Sequence, residues 1–279
     1  MNILVFGASH TGAIKLGYES IRNEIPSKFH VDFFAITSQL INEVKVDRNQ
    51  LLLSDSAIDN VIFSGSISNK QSINLRQYDW LVFVHEANLL SPQYLYSGLK
   101  CENEIKPTPL SMSVLKDISS RYEPSQIQKQ NFGGFEQLKL GGIDLTTNLH
   151  YIFISQLFDM FLNRIAFVGR PLPSEHFRPE IYNFDAHSIE IYQCNNIKIR
   201  QIADESWKSN VAIKHILPPL EVLNESGFRT RHEFMRQSIS SRGKTAHRKD
   251  HLMDLSHGNF NYGKIIAKEI FCKYLLEMI

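Results

Sequence analysis

Cysteine is scarce in this sequence. Its three residues, Cys101, Cys194 and Cys272, lie far apart and form no C-x-x-C pair. That spacing excludes a zinc cluster and a dense disulfide framework, and it points to ordinary thiols in a reducing compartment. Long apolar runs are missing as well, since no stretch approaches the roughly 20 residues that a membrane-spanning helix needs. The opening run Ile3 to Phe6 is too short for the core of a signal peptide and lacks a basic flank and a cleavage site. The expectation is a cytoplasmic protein with no membrane partner. An excess of charge of one sign is absent too, with 30 Lys+Arg against 29 Asp+Glu and a net charge of +1. Such a balance creates no global field that would gather nucleic acid or acidic lipid. The basic stretch over residues 229–249 carries few aromatics and is read as a solvated loop, so no nucleic-acid partner is expected.

A dinucleotide-binding turn is the next absence. The segment Gly7-Ala8-Ser9-His10-Thr11-Gly12 superficially resembles the first turn of a Rossmann fold, but Ser9 stands at the second glycine position and only Gly12 matches the third. Thr37 and Ser38 occupy the end of the second apolar run, where an acidic residue would bind a ribose hydroxyl. A nucleotide-dependent oxidoreductase is therefore the weaker rival, and no cofactor or metal is expected.

What the 279 residues do contain is a series of short β-branched or aromatic runs at 2–7, 31–36, 80–85, 164–169 and 211–217. Helical stretches are expected at 11–23, 110–121, 147–162, 197–209 and 259–278. Continuous apolar runs suit strands buried on both faces, and their alternation with helices is the sequence form of a mainly parallel sheet covered on two sides. In the last helical stretch, Ile265, Ile266, Ile270, Phe271, Tyr274 and Leu275 form a stripe that would dock on the sheet. One domain spanning 1–279 is expected, with insertions around 40–78 and 122–143 that fit the alternation poorly.

Two segments carry candidate chemistry. Ser9 follows the first strand directly, at the carboxyl edge of a parallel sheet and beside the N–H groups of a helix start, which can stabilise an oxyanion. A serine in that turn suits a nucleophile, and it equally suits a helix cap. Near the other end of the chain, Asp254-Leu255-Ser256-His257 precedes the final helix. An Asp and a His three apart in a loop can bend so that the carboxylate orients one ring nitrogen while the other takes a proton from a hydroxyl. The alternative is a turn-capping Asp254 and a surface His257.

In this order the parts resemble the SGNH (GDSL-like) hydrolases, whose opening block reads G-D-S and whose closing block reads D-x-x-H. His257-Gly258-Asn259-Phe260-Asn261-Tyr262-Gly263 is also similar to an H-x-N-x-x-Y-G continuation found in some bacterial members. The resemblance implies a three-layer α/β/α fold of flavodoxin-like type. It also implies Ser9 as nucleophile, His257 as general base and Asp254 as its orienting carboxylate. Asn88, in His85-Glu86-Ala87-Asn88, is the candidate oxyanion donor by the same likeness. Ala8 replaces the usual Asp, His85 replaces a glycine, and Asn88 falls one residue beyond the family spacing. The implied activity is hydrolysis of small acyl esters, on carbohydrate among others. An acyltransferase using the same triad and a non-catalytic member that binds a glycan or acyl ligand are the alternatives. Arg170, after the fourth run, could meet a substrate anion from the rim, or be a solvated residue before Pro171.

Overall fold

The computed structural model describes residues 1–7, 10–36, 44–55, 61–63, 72–84, 128–132, 135–140, 143–144 and 160–161, then 164–169, 171–172, 174–175, 200, 204, 207–208, 213–225, 227, 229–235 and 257–278. In chain order, the strands among them are β1 (Asn2–Gly7), β2 (His30–Ile36), β3 (Val44–Asp47), β4 (Gln50–Leu53), β5 (Val61–Phe63) and β6 (Ser72–Asn74). They continue as β7 (Trp80–Val84), β8 (Gln128–Phe132), β9 (Phe135–Leu140), β10 (Ile143–Asp144), β11 (Ile165–Val168) and β12 (Ile213–Ile216). Two α-helices are described, α1 (Thr11–Ser20) and α2 (Phe260–Lys268), and α2 continues as a π-helical stretch over Glu269–Tyr274.

The main sheet has the order β12-β11-β7-β1-β2-β5. Every pairing from β12 to β2 is parallel, and β5 closes the edge antiparallel to β2. The five parallel strands are the five apolar runs read from the sequence, with ends shifted by at most two residues where the ends are described. In a dinucleotide fold of order 3-2-1-4-5-6 the strand beyond β2 would be parallel; β5 is not. Chain order reverses at β1, whose neighbours are β2 on one side and β7 on the other. Open parallel sheets form their ligand crevice beyond the carboxyl ends of the strands at such a reversal. Gly7 ends β1 there.

Both sheet faces are buried. On one, Ile3 and Val5 of β1, Trp80, Val82 and Val84 of β7, and Ala166 and Val168 of β11 pack in one cluster with α1 and α2. On the other, Phe34, Phe6, Phe83 and Phe167 stand in register on four adjacent strands, with successive ring centroids 5.8, 5.3 and 5.5 Å apart. Each such aromatic pair adds about 0.5–1.5 kcal/mol beyond area burial, so this row binds the parallel strands laterally.

Both intervals expected as insertions contain small antiparallel sheets of their own. One has the order β3-β4-β6 and the other β10-β9-β8. The β3–β4 hairpin turns at Arg48 and Asn49, both with positive φ, which the two-residue hairpin turn requires. The first small sheet leads back through Leu75, whose N–H donates to the carbonyl of Asn49, to the amino end of β7. It therefore lies at the edge of the main sheet opposite Gly7. Of the other expected helices, Met160, Phe161, Arg200, Asp204, Trp207 and Lys208 are helical; the rest, including 110–121, lies outside the described residues. No helix among the described residues is long and apolar enough to cross a membrane.

Candidate active site

Helices α1 and α2 run side by side in the same direction, and they touch at three levels. Midway, backbone meets backbone. A Cβ on Gly263 would stand 1.9 Å from the carbonyl oxygen of Ala13, and one on Gly17 would stand 2.2 Å from the carbonyl carbon of Gly263. No side chain fits in that space, so glycine at both positions is what allows the helices to approach so closely. Toward the carboxyl ends, the ring of Tyr18 meets that of Phe271 edge-on with centroids 5.0 Å apart. Lys268 Nζ also lies 2.8 Å from a Glu24 carboxylate oxygen just past α1. That bond lowers the Glu24 pKa and raises that of Lys268, but both groups are in water and the pair adds little stability.

At the amino ends, the imidazoles of His10 and His257 stack with centroids 4.7 Å apart and planes inclined by 27°. His10 immediately precedes α1 and is 7% exposed; His257 lies two residues before Asn259, the cap of α2. Residues 247 positions apart in sequence are thus brought face to face by the helix crossing. The first turns of both helices contain no acidic residue. The partial positive charge of each helix start is consequently not offset by a carboxylate within it.

The H-x-N-x-x-Y-G segment has a physical role at each position. Asn259 Oδ1 accepts from the Tyr262 N–H at 3.1 Å, which caps the helix. Its Nδ2 donates to the Glu233 carbonyl at 2.6 Å and its own N–H to the Phe234 carbonyl at 2.8 Å, tying the 232–235 turn to the helix start. Tyr262 is buried and its ring covers Gly258, where a Cβ would meet the ring at 2.3 Å; burial raises the phenol pKa far above its usual range. Gly263 is the crossing point. At the other end, Gly7 leaves room for the Val84 carbonyl and the Thr11 hydroxyl, 2.0 and 2.6 Å from where its Cβ would be. This brings the start of α1 down onto the ends of β1 and β7.

Of the residues singled out by the sequence, His257 is described. Ser9, Asp254, Asn88 and Arg170 lie outside the described residues, as does Ala8. Ser9 is bonded to His10, and Asp254 is three residues before His257. His10 is the residue that the sequence reading passed over. Its signal was adjacency to the serine, lost among eleven histidines. A groove of about 710 Å3 runs along the loops after β12, lined by Glu175, Leu223, Asn224, Glu225, Gly227 and Arg231. A second cavity, of about 470 Å3, lies at the amino edge of the sheet by Asp79 and Arg164, away from His257. The chain matches no family model, no curated protein and no solved structure.

Proposed function

We propose that the chain is a serine hydrolase of small acyl esters, with Ser9 as nucleophile, His257 as general base and Asp254 orienting it. The observation that supports the reading most is the His10–His257 stack. It holds the chain neighbour of Ser9 against the ring required to act as its base, and it does so at the carboxyl edge beside the strand-order reversal. In the proposed reaction the Ser9 hydroxyl attacks the ester carbonyl as its proton passes to His257. The tetrahedral oxyanion then draws on N–H groups at the start of α1, with Asn88 as a further donor. His257 returns the proton to the departing alkoxide, and water activated by the same ring releases the acid. The strand order supports a flavodoxin-like, three-layer architecture as part of this reading. An acylated sugar is the substrate class that the resemblance implies.

Fluorophosphonate labelling followed by mass spectrometry tests the assignment. Modification of Ser9, lost in Ser9→Ala together with hydrolysis of a short-chain aryl ester, is the expected result. Undiminished turnover in Ser9→Ala removes the nucleophile and the proposal with it.

A further inference from the structure

We infer that His10 is a positioning residue for His257: its ring is a plate that fixes the plane of the base. The inference rests on the hydrolase reading and adds to it a residue outside the triad. A general base works only when one ring nitrogen faces the hydroxyl and the other faces its orienting partner, so rotation of the ring about its bond to the chain must be restrained. Contacts hold the backbone at Gly258 and Asn259 in place beside His257, but they do not set the plane of its ring. His10 supplies that restraint from across the crossing. It is 7% exposed, it has helical backbone dihedrals, and it is anchored to α1, whose distance from α2 is fixed by glycine at 17 and 263. The stack lies on the face of the His257 ring, whereas proton transfer and hydrogen bonding use the nitrogens at its edge. Restraint is gained without occupying either nitrogen.

Two substitutions separate the ring of His10 from its nitrogens. His10→Ala removes the plate and is expected to lower kcat about 100-fold, the order of loss that a displacement of about 1 Å in a catalytic group produces, while KM changes little. His10→Phe keeps a plate of similar area without nitrogens and is expected to restore kcat to within about threefold of wild type. In parallel, proton NMR of the imidazole ring should show the His257 carbon-bound protons displaced by the ring current of residue 10. The displacement is lost in His10→Ala and kept in His10→Phe. Thermal unfolding of both variants shows that each is folded at the assay temperature.

An active, Ser9-labelled enzyme whose kcat is unaffected by His10→Ala overturns the role of His10 and leaves the hydrolase reading standing. A folded His10→Phe protein as impaired as His10→Ala shows that a nitrogen is required, which overturns the plate. Wild-type protein inert to both ester and fluorophosphonate removes the hydrolase reading, and the role of His10 falls with it.

Discussion

Replacing Gly263 with alanine sets a methyl carbon 1.9 Å from the Ala13 carbonyl oxygen and 2.3 Å from its carbonyl carbon. Real Cβ contacts essentially never fall below 3.0 Å, so the helices must separate by more than about 1 Å. The obstacle is the backbone of α1, which cannot swing aside as a flexible side chain would. Two effects oppose each other. Alanine in a helix is favoured over glycine by about 1 kcal/mol, whereas overpacking a buried contact costs about 1–3 kcal/mol and sometimes more. Parting the helices also weakens the Tyr18–Phe271 contact and the stack at their amino ends, so the clash prevails and the net loss is about 1–3 kcal/mol. At about 2–4 °C per kcal/mol for a domain approaching this size, the melting temperature should fall by about 2–12 °C. Exposed Asn261 on the same helix is the control, since Asn261→Ala changes propensity alone and should be neutral or slightly stabilising. Calorimetry of the two variants, with ester turnover measured where both are folded, makes the comparison. A Gly263→Ala protein that melts at or above the wild-type temperature would show that the helices do not cross at this point.

Asn259→Ala should cost about 1–2 kcal/mol, through the lost cap and the lost donor to the Glu233 carbonyl; an unchanged urea midpoint counts against both bonds. Burial first, then Asp32 beside Tyr78 and Asp204 beside Tyr274, raises both phenol pKa values above the usual range near 10. The unfolded chain therefore releases protons from about pH 10 while the folded chain holds them, so stability should be intact below that pH and decline above it. Tyr274→Phe should make the decline shallower, and identical alkaline slopes would refute the assignment for that residue. The only two tryptophans, Trp80 and Trp207, stack with centroids 5.7 Å apart and planes within 14°. The near-ultraviolet circular dichroism should accordingly contain a paired signal that Trp207→Phe abolishes, and a spectrum merely halved by the substitution means uncoupled rings.

The parallel sheet was legible because strands covered on both faces leave continuous apolar runs; Ile3–Phe6 and Trp80–Val84 could hardly be anything else. The small antiparallel sheets left less of a trace, the short apolar piece Leu51–Leu53 of β4 apart. β6 is only Ser72-Ile73-Asn74, and β8 reads Gln128-Lys129-Gln130-Asn131-Phe132, neither with an apolar run to notice. Val61–Phe63 is a short apolar piece, but nothing local tells a strand that it will close the edge of a distant sheet in the opposite direction. In the last helix the apolar stripe was visible. The widening at Glu269–Tyr274 was not, because it is set by where Phe271 and Tyr274 must reach: Tyr18 for the first, Trp207 and Asp204 for the second. For the site, His257 could be singled out by its spacing from Asp254, whereas His10 acquires meaning only once α1 and α2 are side by side. Ala13-x-x-x-Gly17 was the readable hint that something would come close to that face.

The helix crossing also sets a timetable for biosynthesis. Ala13 and Gly263 are separated by 250 positions, and at about 5–20 residues per second the ribosome takes about 12–50 s to travel from one to the other. Throughout that interval the small-residue face of α1 and the adjoining face of β1 have been made but their partner has not. The nascent chain must carry that uncovered surface while those 250 residues are added, and transiently exposed apolar surface of this kind is prone to aggregate. The stack at the amino ends of the helices can form only afterwards, so whatever chemistry His257 performs is withheld until translation has passed the segment that bears it.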